Sequence, residues 1–174
     1  MTTWLVSDTH LFHEKLLGFQ RKEFTCVEEM NNRIIEMWKT LVKPDDRVFH
    51  LGDFAFGDNM QAIEDIVKSL PGRVTLVIGN HDTPVKCQLY SKYWKLASHV
   101  CDGKYCLSHV PVHPALLNET TPRSMGEPTR FCIHGHCHKP LDLGDKYFNV
   151  NWDVLGEAKF LNFTDVKAKL SKQG

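Results

Sequence analysis

A chain of 174 residues with 42% hydrophobic side chains can bury a sizeable core and is too apolar to be disordered, so it reads as a single domain over 1–174. Lys plus Arg and Asp plus Glu balance at 21 each, which argues against a general nucleic-acid-coating protein but leaves room for a small anionic substrate held locally. No apolar stretch approaches the ~20 residues of a membrane span, and six cysteines without a CxxC pair or a leader fit reduced thiols in a cytoplasmic protein.

Trp4 to Ser7 reads as a first strand, and it ends in Ser7-Asp8-Thr9-His10. Residues two apart on extended backbone point the same way, so Asp8 and His10 can share a target. His13 follows one short turn later, and Phe19 to Phe24 reads as a loop near the site carrying Arg21 and Lys22. Val27 to Val42 has helical spacing, with Val27, Met30, Ile34, Met37 and Leu41 as its apolar stripe and Thr25 as a candidate cap. Arg47 to Leu51 is a second strand running into Gly52-Asp53. Asn59 or Asp58 can cap a second helix, whose buried stripe is Met60, Ile63, Val67 and Leu70.

Val74 to Ile78 is a third strand, running into Gly79-Asn80-His81-Asp82. This strand-helix order predicts parallel pairing with right-handed crossovers, and it places each polar cluster at a strand's carboxyl end, where open α/β sheets collect ligands. A short helix is predicted over 85–93. Asp102-Gly103 then marks a hairpin between strands at 98–101 and 104–108, which runs into His109. The stretch 114–128 is polar and turn-rich, an exposed loop that puts Arg123 and Arg130 within reach of a substrate. Phe131 to Ile133 is a strand entering His134-Gly135-His136-Cys137-His138. Further strands are predicted over 147–152 and 159–163, and a terminal helix over 164–172.

The strand-end set is therefore Asp8, His10, Asp53, Asn80, His81, His109, His136 and His138. Two carboxylates, an amide oxygen and several imidazoles form an oxygen and nitrogen ligand set, too many for one four-coordinate zinc. The set suits two divalent ions about 3.5–4 Å apart sharing a carboxylate. Cys137 should point away from the face its neighbours use.

Asp8-x-His10, Gly52-Asp53, Gly79-Asn80-His81, His109 and Gly135-His136-x-His138, in that order, resemble the calcineurin-like metallophosphoesterase superfamily. The resemblance implies an α/β, four-layer αββα sandwich, two mixed β-sheets face to face with helices outside. It implies that Asp8, His10, Asp53 and His138 hold one ion, and that Asp53, Asn80, His109 and His136 hold the other. It further implies in-line attack on a phosphoester by a hydroxide bridging the two ions, with His81 assisting the leaving group. Manganese is the expected metal, and iron, nickel or zinc are compatible with the donors. Gly52-Asp53-Phe54-Ala55-Phe56 lacks the arginine of the serine/threonine protein phosphatases, so a small cap-free phosphoesterase is the closer resemblance, with a phosphodiester favoured over a monoester. Asp8-Thr9-His10 with His13, and Asn149-Val150-Asn151-Trp152-Asp153, resemble one such subgroup.

The expected partner is a small phosphoester, nucleotide-like in the sense that Phe12, Phe54, Phe56, Tyr105 or Trp152 either stacks a base or fills the core. His50 reads as core, His99 and His113 as surface, and His134 as a support for the metal histidines. Asp82 orients His81 or caps the helix that follows. His13 either touches substrate or plays a loop role, and one of Lys86, Lys92, Arg123 and Arg130 could clamp phosphate. The alternative function is a catalytically silent scaffold on the same fold, which would be expected to have lost His81 or several ligands; this chain keeps them all.

Overall fold

The computed structural model describes residues 1–117, 130–157 and 159–172. Its first half alternates strand and helix: β1 (Thr3–Val6), α1 (Val27–Leu41), β2 (Arg47–His50), α2 (Met60–Ser69), β3 (Arg73–Val77), α3 (Pro84–Tyr90) and β4 (Lys95–Ala97). β1 to β4 pair in parallel, each new strand beside the last, as βαβ connections require. The second half supplies β5 (His99–Asp102), β6 (Tyr105–Ser108), β7 (Phe131–His134), β8 (Tyr147–Asn149), β9 (Leu161–Asn162) and α4 (Phe163–Ser171). β9 closes the first sheet by pairing antiparallel with β1, giving the order β4-β3-β2-β1-β9. The second sheet runs β5-β6-β7-β8. Both sheets are mixed, as expected of the α/β sandwich.

Two cores follow from strict alternation along the strands. Val6, Val48, Val74 and Leu76 face the helices, where Met30, Ile34 and Trp38 of α1 and Ile63 and Val67 of α2 cover them. Leu5, Phe49 and Val77 face the other way and meet Tyr105, Leu107, Phe131 and Ile133 of the second sheet, with Phe163, Val166 and Leu170 of α4. Each such side chain taken from water is worth about 1.5–3 kcal/mol, so both sheets are held face to face by an apolar layer that needs no polar contact.

Several boundaries move. The α1 stripe is centred on Met30, Ile34 and Trp38, while Leu41 is exposed, because positions four apart continue the buried line and Leu41 falls at the frayed end. Cys26 occupies the cap position of α1, and Thr25 instead bonds the Glu29 carboxylate through both its N–H and its hydroxyl. Asn59 caps α2, and Thr83 caps α3, which ends at Tyr90 rather than at 93. The hairpin tip is Gly103-Lys104, one residue on from the predicted Asp102-Gly103, with Gly103 at φ 56° in the first turn position. β4 was not anticipated by any strand-like run.

Candidate metal centre

The carboxyl ends of β1, β2, β3, β6 and β7 converge, and the backbone there is strained. Asp8, His10, Phe12, Asp53 and His136 all have positive φ, between 47° and 66°, although none is glycine. Such residues cost about 1–3 kcal/mol each and persist only where their surroundings hold them. Here the Asp8 N–H donates to the Gly52 carbonyl at 3.0 Å and the His10 N–H to the Asp53 carbonyl at 3.1 Å. The Phe12 N–H donates to the buried Asn31 side chain at 2.9 Å, and the His136 N–H to Asp8 Oδ2 at 2.9 Å. Asp82 spans two motifs: it accepts from the N–H groups of Asp53 and Gly79, each at 2.8 Å, and of Phe54 at 3.2 Å. It therefore clasps backbone, and neither orients the His81 ring nor caps α3.

The motif glycines are there for close approach. A Cβ on Gly79 would lie 2.2 Å from Asp53 Oδ1, and one on Gly135 2.0 Å from Ser7 Oγ and 2.4 Å from Asp8 Oδ2. One on Gly52 would lie 2.5 Å from His109 Nδ1.

These constraints assemble two donor groups. Asp8, His10 and His138 offer atoms within 4.8 Å of one another, and so do Asp53, His109 and His136. Asp53 joins them: its Oδ2 stands 3.7 Å from His10 Nε2 and 3.4 Å from His109 Nε2. Asn80 Oδ1 lies 2.9 Å from His109 Nε2, adding an amide oxygen to the second group. The His109 ring is fixed from behind, because Nδ1 donates to the Leu51 carbonyl at 2.8 Å and so leaves Nε2 facing the cluster.

The cluster is rich in lone pairs and short of donors. Asp8 Oδ1 and both ring nitrogens of His10 are buried without a hydrogen-bond partner. Burial pushes the Asp8 carboxyl up to about 6, against the Ser7 hydroxyl bond that favours its ionised form, and pushes His10 down to about 2. Burial also works against ionised Asp53, but the bond and charge of His109, together with the His81 N–H and His10, outweigh it and hold the carboxyl at about 2. His136 is shifted down by its partial burial. Buried groups of this kind need a partner, and a cation is the partner that satisfies carboxylate oxygens and neutral imidazoles at once. The residues fit two divalent ions.

Comparisons with known proteins give the family and the fold. A model of the calcineurin-like phosphoesterase superfamily domain matches residues 1–163. The chain belongs to the calcineurin-like phosphoesterase superfamily. The chain is 29% identical over 165 residues to the Gene 66 protein of Mycobacterium phage L5, covering 81% of this chain and 79% of that protein. It is 30% identical over 109 residues to an uncharacterised protein of Methanocaldococcus jannaschii, covering 60% of this chain and 62% of that one. Among solved structures, a protein of unknown function from Aquifex aeolicus shares the fold, with TM-score 0.71 and 24% identity, covering 96% of this chain and 98% of that one. The family is metal-dependent, and the two donor groups are its candidate sites here.

The remaining candidate residues are sorted by position. His81 is half-buried beside the centre, its ring 5.5 Å from that of His10 and 5.3 Å from that of Phe56. His13 stacks on Phe56 at 3.9 Å and lines a groove of about 500 Å³ with His10, Leu16, Phe19, Gln20, His81, His138 and Lys139. Arg130 is not brought to this groove: its N–H donates to the Lys104 carbonyl at the start of β7, the opposite end from Gly135. Arg123 lies outside the described residues. Lys86 is buried and committed, with Nζ donating to the carbonyls of Ala55 at 2.9 Å and His81 at 3.3 Å, so it clamps no phosphate. His50 is core, stacked near Trp38 and 3.0 Å from Thr9 Oγ1. His134 does not back a metal histidine: Nδ1 donates to the Gly135 carbonyl and the ring meets Tyr147. Phe54, Tyr105 and Trp152 fill the cores and Phe12 packs, partly buried, against one of them, while Phe56 borders the groove through His13 and His81.

The sequence gives no role to two residues that stand beside the candidate centre. Arg21, assigned to a loop, is fully buried, and Asp153 accepts from His138 Nδ1 at 2.7 Å. The signal for both was faint, a lone arginine in a turn-rich segment and an acid closing the Asn149 to Asp153 stretch.

Proposed function

We propose that this protein is a dinuclear metal-dependent phosphohydrolase acting on a small phosphodiester. The observation that carries the reading is Asp53, whose Oδ2 lies between two donor groups, one of which holds buried atoms of Asp8 and His10 without a hydrogen-bond partner. When bound, divalent cations supply a water of lowered pKa as nucleophile and offset the charge of the phosphate. The chain supplies the rest. Asp8, His10, Asp53 and His138 would hold one ion, and Asp53, Asn80, His109 and His136 the other. Manganese is the expected metal, with iron, nickel and zinc compatible with this donor set. His81, on the groove side of the centre, is placed to give a proton to the leaving oxygen, and Asp53 Oδ1 fixes its backbone by accepting its N–H at 2.8 Å.

Charge favours the diester. Among the described residues lining the groove, Lys139 is the one with a fixed positive charge. A monoester dianion carries one more negative charge than a diester and would want a second cationic partner. The groove is open, and the His13–Phe56 stack offers a flat wall to a nucleotide-like leaving group. Six cysteines present as thiols fit a reducing, cytoplasmic setting. No helix among the described residues is long and apolar enough to cross a membrane.

The test is steady-state hydrolysis of an aryl phosphodiester and the matched monoester by metal-stripped protein, with manganese, nickel or zinc added back. Metal-dependent turnover with the diester preferred is expected. A monoester preference would overturn the substrate class. No turnover by protein that binds metal would favour the scaffold.

A further inference from the structure

We infer that Arg21 and Asp153 form a buried positioning pair that sets the ring orientation and tautomer of His138, and so the affinity of one of the two metal sites. The inference rests on the reading of the donor groups as metal sites. Arg21 is fully buried and uses its whole fork. Nε donates to Asp153 Oδ1 at 2.8 Å and Nη2 reaches Asp153 Oδ2 at 3.3 Å. Nη1 donates to the Thr9 carbonyl and Nη2 to the Asp8 carbonyl, each at 2.6 Å. The same guanidinium thus holds Asp153 and the peptide carbonyls of the strained Asp8 to His10 segment. An ammonium, with no planar fork, could not match this set of acceptors.

Asp153 passes the constraint on. Its Oδ2 accepts from His138 Nδ1 at 2.7 Å, so that nitrogen carries the proton and Nε2, 3.8 Å from Asp8 Oδ1, keeps its lone pair for the site. The backbone of His138 is held by the same segment, since Gln20 Nε2 donates to its carbonyl at 2.8 Å, while Asn149 Nδ2 donates to the neighbouring Cys137 carbonyl at 2.7 Å. Residues 20 and 21 therefore grip His138 from both its main chain and, through Asp153, its ring. Asp153 is itself turned in by Asn151, whose Oδ1 accepts its N–H at 2.8 Å. The groups facing the Asp153 carboxylate are all donors, so an asparagine there must turn its own NH₂ towards one of them. It cannot serve both Arg21 and His138.

The test is calorimetric titration of metal-free protein with Mn²⁺, comparing wild type with Asp153→Asn, Arg21→Met and the double variant Arg21→Met/Asp153→Asn. The double variant removes the charges together, so it stays informative where Arg21→Met alone strands a buried carboxylate and fails to fold. Wild type should bind two ions. Each variant that folds should bind one ion about 10–100-fold more weakly and the other as before. A second readout needs no metal: ¹⁵N spectra of wild type at alkaline pH should show His138 as the Nδ1–H tautomer, and Asp153→Asn should mix the two tautomers. Wild-type affinity at both sites in the variants, or equal weakening of both, would overturn the inference while leaving the dinuclear reading intact. A wild type that binds no ion would overturn both.

Discussion

The two donor groups that meet at Asp53 are enclosed in different ways. Asp8 and His10 are buried, and His138 is backed by a carboxylate and an arginine drawn from residues 21 and 153. In the other group His136 is exposed, and His109 is backed by the main-chain carbonyl of Leu51. One site is thus fixed by side chains brought from far along the chain, the other by the main chain just past β2 in the facing sheet. Support by side chains can be removed by substitution, whereas support by a main-chain carbonyl cannot.

The largest effect should come from a residue outside both groups. His81→Ala is expected to lower kcat by about 10²–10⁴-fold, the usual worth of a general acid, while both ions bind as in wild type. The loss should shrink on an aryl ester whose leaving group needs no proton. Parallel kinetics and metal titration would check this, and a loss of either ion would place His81 inside the centre instead.

Next come two glycines that address the groups separately. A methyl at Gly135 strikes Ser7 Oγ and Asp8 Oδ2, whereas one at Gly52 strikes the His109 ring. Gly52 also sits at φ 96°, where a side chain adds strain. Gly135→Ala should weaken the ion of the Asp8 group, and Gly52→Ala that of the His109 group. Each is expected to cost about 1–3 kcal/mol of stability by overpacking, Gly52→Ala the more. Melting temperatures and two-site titrations would measure both, and identical titration profiles for the two variants would erase the distinction between the groups.

How much of this was legible in the sequence follows from where each residue stands. Asp8, His10, Asp53, Asn80, His81, His109, His136 and His138 end apolar, β-branched runs, and that context places a polar side chain at a strand's carboxyl end. The structure brings these eight to one place. β4 is invisible because Lys95-Leu96-Ala97 is short, free of β-branched residues and on a sheet edge. Arg21 reads as a solvated loop charge, since its partners lie elsewhere in the chain: the Asp8 to Thr9 backbone, Met30, Trp152 and Asp153, the last 132 positions away. Lys86 misleads similarly: nothing local to Pro84–Tyr90 tells that its ammonium turns in to the Ala55 carbonyl. Arg130 fails for the opposite reason. A strand has two ends, and the sequence marks it as close to Gly135 when the length of β7 separates them.

The claim on which the rest depends is that Asp53 is shared between two ions, and counting bound metal tests it most directly. Equilibrium dialysis of metal-free protein against Mn²⁺, followed by metal analysis, should find two ions per wild-type chain. Asp53→Asn, which keeps the shape of the side chain and removes its charge, should hold at most one, weakly. One ion in wild type, or two in Asp53→Asn at wild-type affinity, would contradict the account.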